Sequence, residues 1–220
     1  MDLELLKGAA LFSGMTAQEI AGALRCLSAA ERTFEKGEFL HRAGEHVTTA
    51  GVVLEGAVSI ECDDFWGGRS VLGQVGPGGM FAEAYACAPE TAMMVNVIAV
   101  SPCRVLFLNV AGLLAASGRC VHAARVIRNL LLISAQKNLS LSRRMFYTSH
   151  KTIRERLLAY LTDELLRQGG GEVLLPFNRQ ELADYLNVER SALSAEIGKM
   201  RRDGVLEAKR NRFRLLRQEG

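Results

Sequence analysis

Between Glu31 and Leu108, apolar residues come in short runs broken by glycine: GVVLEGAVSIE, SVLGQVGPGGMF and VNVIAVSPCRVLFLN. Evenly spaced short strands with glycine at the turns predict a small barrel or sandwich. The period changes on either side. Ahead of the strands, Thr16-Ala17-Gln18-Glu19 has the capping-box spacing and predicts a helix through Leu27. Behind them, a helical pattern spans 118–145. Within it Ala124, Ile127, Leu131, Ser134, Asn138, Leu141 and Met145 alternate steps of three and four, the seam of a two-stranded coiled coil. Leu130 and Ile133 lie beside the seam and are placed to pack on the barrel. A core helix within one subunit is the alternative, and Asn138 is the polar exception, suited either to fixing register or to reaching a ligand.

After Met145, Phe146-Tyr147-Thr148-Ser149 breaks the pattern, and Thr148 or Ser149 is placed to cap a new helix through Leu166. A hinge is expected there. Gly169-Gly170-Gly171 then makes a flexible link before a short strand, Val173-Leu174-Leu175. In 177–199, Asn178 and Glu181 form a second capping box, and Leu182, Ala183 and Leu186 give an apolar face. Asn187 is suited to a tight turn and Val188 to its corner, while Leu193, Ile197 and Met200 recur at helical spacing on a second helix. Its open side carries Arg190, Ser191, Ser194, Ala195 and Gly198. Gly204 ends it, and two alternating runs around Lys209-Arg210-Asn211 predict a β-hairpin wing. Two short helices followed by a basic-tipped wing predict DNA binding.

Composition sharpens this picture. The 220 residues carry a net charge of +3, unevenly placed: 143–217 holds 16 Lys and Arg against 10 Asp and Glu, whereas 1–142 holds 11 against 13. The surplus coincides with the helix pair, as attraction to phosphates requires. No apolar run reaches the length of a membrane span, and no basic segment followed by an apolar stretch opens the chain, so a cytoplasmic protein is expected. Five cysteines at 26, 62, 87, 103 and 120 have no CxxC pair, which disfavours a local zinc or iron–sulfur motif and predicts free, buried thiols. His41, His46, His122 and His150 are scattered and give no support for haem. No metal site or cofactor is expected. GxSxG, HExxH and Walker patterns are absent, so an enzyme is not expected.

Four segments carry a family resemblance: Leu54-Glu55-Gly56-Ala57-Val58-Ser59-Ile60, the stretch from Gly76 to Glu83, Cys103-Arg104-Val105-Leu106-Phe107-Leu108, and Arg179-Gln180-Glu181-Leu182-Ala183-Asp184-Tyr185-Leu186. Together and in this order they resemble the CRP/FNR family of transcription regulators. The resemblance implies an α+β chain: an N-terminal double-stranded β-helix (jelly-roll) barrel of the cyclic-nucleotide-binding type over 1–112, a dimerisation helix over 113–147, and a winged helix-turn-helix over 148–220. It implies a homodimer acting on a palindromic operator in double-stranded DNA, with RNA polymerase as a further partner and no membrane. Arg179, Gln180, Arg190, Ser191, Ser194, Lys199, Arg201, Arg210 and Arg212 become the DNA-binding candidates, Arg190 and Ser191 for bases, and the family's further basic residue is replaced by Ala195. Gly79, Phe81, Ala82, Glu83, Met93, Met94 and Asn138 become the effector-pocket candidates. The Gly-Glu-Leu triplet that holds a nucleotide is here Ala82-Glu83-Ala84, and Met93 stands where the phosphate arginine is expected. A phosphate buried without a cation is costly, so cyclic AMP is not the expected effector. Either the pocket takes a different small molecule or redox signal, or it is vestigial and the chain binds DNA without an effector. A regulatory cyclic-nucleotide-binding module is the remaining alternative.

Overall fold

The computed structural model describes residues 3–63, 69–115 and 121–216. These divide into two compact units, Met1–Gln136 and Lys137–Gly220, and the division falls inside one long helix.

In the first unit, eight strands form two four-stranded antiparallel sheets. They are β1 (Ala30–Phe34), β2 (Phe39–His41), β3 (Thr49–Glu55), β4 (Val58–Asp63), β5 (Arg69–Val75), β6 (Met80–Phe81), β7 (Asn96–Ala99) and β8 (Cys103–Asn109). One sheet runs β1-β8-β3-β6 and the other β2-β7-β4-β5. Side chains alternate along a strand, so β8 sends Cys103, Val105 and Phe107 between the sheets and Leu106 and Leu108 to the outer face. That outer face is also buried, under α1 (Leu3–Lys7), α2 (Ala17–Cys26), α4 (Val110–Ala115) and the first turns of α5 (Ala123–Thr148). A sheet covered on both faces needs unbroken apolar runs, which is why VVL and VLFL appear where half-exposed strands would alternate. Gly51 faces Phe81 across the β3–β6 pair, and a Cβ there would meet the Phe81 ring at 2.1 Å, so only glycine admits the ring.

Helix α2 starts as the sequence implies: Glu19 N–H donates to Thr16 Oγ1 and Thr16 N–H to Glu19 Oε2. Ile20, Gly22, Ala23 and Leu24 are its buried residues. On α5, Val126, Leu130 and Ile133 are buried in the same core, as expected for Leu130 and Ile133. The expected start of this helix at Gly118 lies outside the described residues, as does Cys120. The thiol expectation needs correction: Cys103 is buried and free, Cys62 is half-buried, Cys87 is exposed, and Cys26 is disulfide-bonded.

The helix α3 (Glu83–Cys87) follows Ala82, whose φ of 58° places an alanine in the left-handed region. That conformation costs an L-residue about 1–2 kcal/mol and glycine almost nothing, against about 0.5–1 kcal/mol of extra chain entropy for glycine. Ala82→Gly is therefore expected to stabilise the first unit by about 0.5–1 kcal/mol, read as a higher urea midpoint.

The second unit contains the end of α5, then α6 (Ile153–Gln168), β9 (Val173–Leu174), α7 (Arg179–Tyr185), α8 (Arg190–Arg202), β10 (Leu206–Lys209) and β11 (Arg212–Leu215). The three strands form a sheet in the order β10-β11-β9. Helix α5 does not stop at Met145 as the sequence suggests; it continues to Thr148. Tyr147 explains the extra turn. It is buried against Tyr160 at 5.3 Å between ring centroids, and its hydroxyl donates to Asp163 Oδ2 at 2.6 Å. Thr148 and Ser149 do not cap the next helix. Their hydroxyls turn back to donate to the carbonyls of Arg144 and Phe146 and close α5, and Thr152 caps α6 in a capping box with Glu155. The expected hinge at 146–149 thus lies in the packed end of α5.

Candidate nucleic-acid interface and sensor barrel

Each element of the helix pair is fixed locally. Asn178 Oδ1 accepts from Gln180 N–H at 2.9 Å and Glu181 N–H at 3.0 Å, and Glu181 Oε2 accepts from Asn178 N–H at 2.7 Å. Asn187 takes φ 52°, the left-handed turn expected of it. Val188, half-buried, packs against the core at the corner. Leu193, Ile197 and Met200 bury one side of α8, and Arg190, at its first turn, with Ser191, Ser194, Ala195 and Lys199 makes up the exposed strip. Small Ala195 and Ser194 in mid-strip keep the backbone accessible, as entry into a major groove requires.

Two arginines absent from the sequence-derived candidates hold this pair from behind. Arg144, on α5, donates from Nε to Tyr185 O at 3.0 Å and from its terminal nitrogen to Asp184 O at 2.9 Å, with its guanidinium 5.6 Å from the Tyr185 ring centroid. Arg156, on α6, donates to Leu186 O at 3.2 Å, Asn187 O at 2.9 Å and His150 O at 2.9 Å. The last carbonyls of a helix have no partner within it, and a planar guanidinium reaches two at once. Arg156→Ala strips three carbonyls of a charged donor and is expected to cost about 1–2 kcal/mol, the exposed part of the side chain lowering the loss. Arg156→Lys is expected to recover only part of it. Urea unfolding followed by circular dichroism gives both numbers.

The basic residues do not form one uniform patch. Arg179 is half-buried: its guanidinium sits 5.4 Å from the Phe213 ring centroid and donates to Arg210 O at 3.1 Å, and burial pushes its pKa below the usual arginine range. Arg210, exposed at the wing turn with φ 57°, and Arg179 flank a cleft of about 540 Å³ lined also by Phe177, Asn178, Asn211 and Phe213. Asn211 ties the turn to the strand below by donating from Nδ2 to Leu175 O at 2.8 Å. Arg212 pairs with Glu172 at 3.4 Å, Gln180 donates to Asp184 Oδ1 at 2.9 Å, and Arg201 is exposed in the last turn of α8. The structure therefore brings Arg179, Arg210 and the start of α7 together and sets Arg190, Ser191, Ser194 and Lys199 on a separate helical strip.

Between the sheets of the first unit the interior is aromatic and aliphatic. Phe81 and Phe107 meet edge to face at 6.2 Å, Phe34 joins Phe107 at 6.1 Å, and Met93 is buried among them at 3 % exposure. His41 shares this interior. Its ring lies 6.2 Å from Phe81 and 5.7 Å from Phe107, Nδ1 approaches Glu45 at 3.4 Å, and Nε2 has no hydrogen-bond partner among the described residues. Burial holds its pKa below the usual histidine value, with Glu45 opposing. Gly79 leaves room for Val75, whose Cγ1 a Cβ would meet at 2.6 Å, and Glu83 is buried in the first turn of α3. Of the remaining pocket candidates, Met94 is 76 % exposed and its N–H donates to Tyr85 Oη, while Asn138 is exposed in the second unit and accepts from Ser142 Oγ. Met93 and Met94 therefore do not share a surface.

A two-sheet sensing fold followed in the same chain by a winged helix-turn-helix defines an effector-domain transcription regulator that binds DNA. The sequence matches the cyclic nucleotide-binding domain over residues 31–118 and the Crp-like helix-turn-helix domain over 155–220. The chain belongs to the CRP/FNR family of transcription regulators, a family of DNA-binding proteins and not of enzymes. Similar solved structures include CprK complexed with OCPA (18 % identity, 87 % of this chain and 90 % of that one, TM-score 0.63). The regulator CLP of Xanthomonas campestris, described as responsive to c-di-GMP, is 20 % identical over 92 % of this chain and all of that one, with a TM-score of 0.59. FixK2 of Bradyrhizobium japonicum is 22 % identical over 86 % and 93 %, with a TM-score of 0.51. At such identities these likenesses carry the fold alone. A candidate potassium channel protein of Rhodopseudomonas palustris is 35 % identical over 131 residues, 60 % of this chain, which spans 31 % of that protein's length. Among the described residues no helix is long and apolar enough to cross a membrane.

Proposed function

We propose that the protein is a homodimeric regulator that reads a palindromic operator and whose sensing domain does not take a cyclic nucleotide. The observation that carries the dimer is the α5 seam: Leu131, Leu141 and Met145 are 68 %, 66 % and 70 % exposed, while Val126 and Leu130, beside the seam, are buried in their own unit. An apolar row at heptad spacing along a helix is covered by a second copy of the same row. Ala124, Ile127, Ser134 and Asn138 complete the seam, with Asn138 as the polar register residue. Two copies related by a two-fold axis present two α8 helices to half-sites roughly 10 bp apart, leaving the rest of the surface for RNA polymerase.

Met93 argues against a cyclic nucleotide. It replaces a cation with a thioether inside an apolar interior, where a phosphate would be desolvated without compensation. Two readings of the sensor remain in play. A less charged effector, small-molecule or redox, suits the polar group His41 offers inside the apolar lining. The packing of Phe34, Phe81, Phe107 and Met93 favours the other, a filled interior and DNA binding without an effector. Thermal-shift titration of the purified dimer with cyclic AMP, cyclic GMP and a panel of uncharged metabolites, in oxidised and reduced buffer, separates these. No shift with either nucleotide is expected, and a saturable shift with cyclic AMP would sink the exclusion.

A further inference from the structure

The residue that opens α8 is a glutamate. Glu189 takes extended backbone angles, its carboxylate accepts the Ala192 N–H at 2.9 Å and the Ser191 hydroxyl, and the side chain is exposed on the strip that carries Arg190, Ser191 and Ser194. Short side chains usually serve at this position; here a longer one folds back over its own helix start. The consequence follows from what a reading helix meets. The positive end of a helix attracts anions, and against DNA the anion on offer is a backbone phosphate. A carboxylate already seated there takes that place and repels the phosphate.

We infer that Glu189 is a specificity-determining residue of the DNA reader, which excludes a phosphate from the start of α8 and sets the hydrogen-bonding sense of Ser191. A serine hydroxyl has one proton and can donate or accept. With the proton committed to Glu189, Ser191 presents only lone pairs to the groove. Lone pairs match the exocyclic amino groups of adenine and cytosine, and not the acceptor edges of guanine or the O4 of thymine. Arg190, beside it, supplies the donors a guanine edge requires. The operator strand facing these two residues should therefore place adenine or cytosine next to the guanine read by Arg190. Part of the cost of this arrangement falls on non-specific binding, since the carboxylate opposes phosphates whatever the sequence.

The inference rests on α8 being the reading helix, so the test carries a control for that premise. Full-length wild type, Glu189→Ser, Glu189→Gln, Glu189→Asp and Arg190→Ala are each taken through selection from random-sequence duplexes and through titration of a random duplex over a salt series. Glu189→Ser keeps a competent cap while removing the charge and freeing the Ser191 proton. It is expected to bind the random duplex about 5-fold more tightly at low salt for each α8 engaged, the effect of one like-charge contact near a surface. Its log–log salt slope is expected to steepen by about 0.9 for each phosphate admitted, and the adenine-or-cytosine preference at one position per half-site is expected to disappear. Glu189→Gln, which keeps the side-chain length, should follow it on the salt slope even if Glu189→Ser loosens the helix start, and Glu189→Asp should keep the wild-type pattern. Wild-type salt slope and base preference in both Glu189→Ser and Glu189→Gln would overturn the inference and leave Glu189 as a cap alone. If Arg190→Ala also selects the wild-type sequence, the fault lies with α8 as reader; if Arg190→Ala changes the selected sequence while the glutamate variants do not, only the role of Glu189 fails.

Discussion

Arg190→Ala is expected to lower affinity for the selected operator by at least about 30-fold and to leave binding to random duplex within a few-fold of wild type. Arg190 is exposed at the first position of α8, where a reading helix meets base edges, and pairs with no carboxylate among the described residues. A bidentate arginine–guanine contact discriminates by about 1–3 kcal/mol, and a two-fold dimer loses it twice, which gives roughly 2–6 kcal/mol in total. A phosphate contact would behave differently, with specific and random DNA losing affinity together and the salt slope falling by about 1. A gel-shift titration against both DNAs distinguishes the two, and equal loss on both would assign Arg190 to the backbone.

The second large effect is expected from the α5 seam. Leu131→Glu with Leu141→Glu places like charges opposite each other in the coiled coil and should convert the protein to monomers in sedimentation velocity at micromolar concentration. Operator affinity should fall about 10²–10⁴-fold, because each half-site is then held separately and the gain from linked binding is gone. Both leucines are well exposed in the single chain, so the helical signal of the monomer should survive. A doubly substituted protein that stays dimeric would place the interface elsewhere.

Most of the architecture was legible because it is written in local patterns. The Thr16–Glu19 and Asn178–Glu181 boxes, the left-handed Asn187, the buried Leu130 and Ile133 and the wing turn at Arg210 each depend on a few neighbouring residues. Where a local pattern is ambiguous, the fold decides between partners. Thr148 and Ser149 are cap-forming residue types, but their hydroxyls close the preceding turn, and the Thr152–Glu155 spacing three residues further on was the better signal. A family pattern pairs Met93 with Met94 by position, but neighbours in sequence seldom share a face, and only Met93 is buried. The Cys26 disulfide, and the contacts of Arg144 and Arg156 with main-chain oxygens 30 to 41 residues away, have no short-range signature at all.

Those arginine contacts bear on how such a protein diversifies. Arg144 and Arg156 grip carbonyl oxygens, which every residue supplies, and the one α7 side chain met by Arg144 is the Tyr185 ring, on the far side from the exposed strip of α8. Substitutions that retune α8 for a new operator therefore leave the mounting untouched, and a lineage can exchange one target site for another by single steps without first rebuilding the frame that aims the helix.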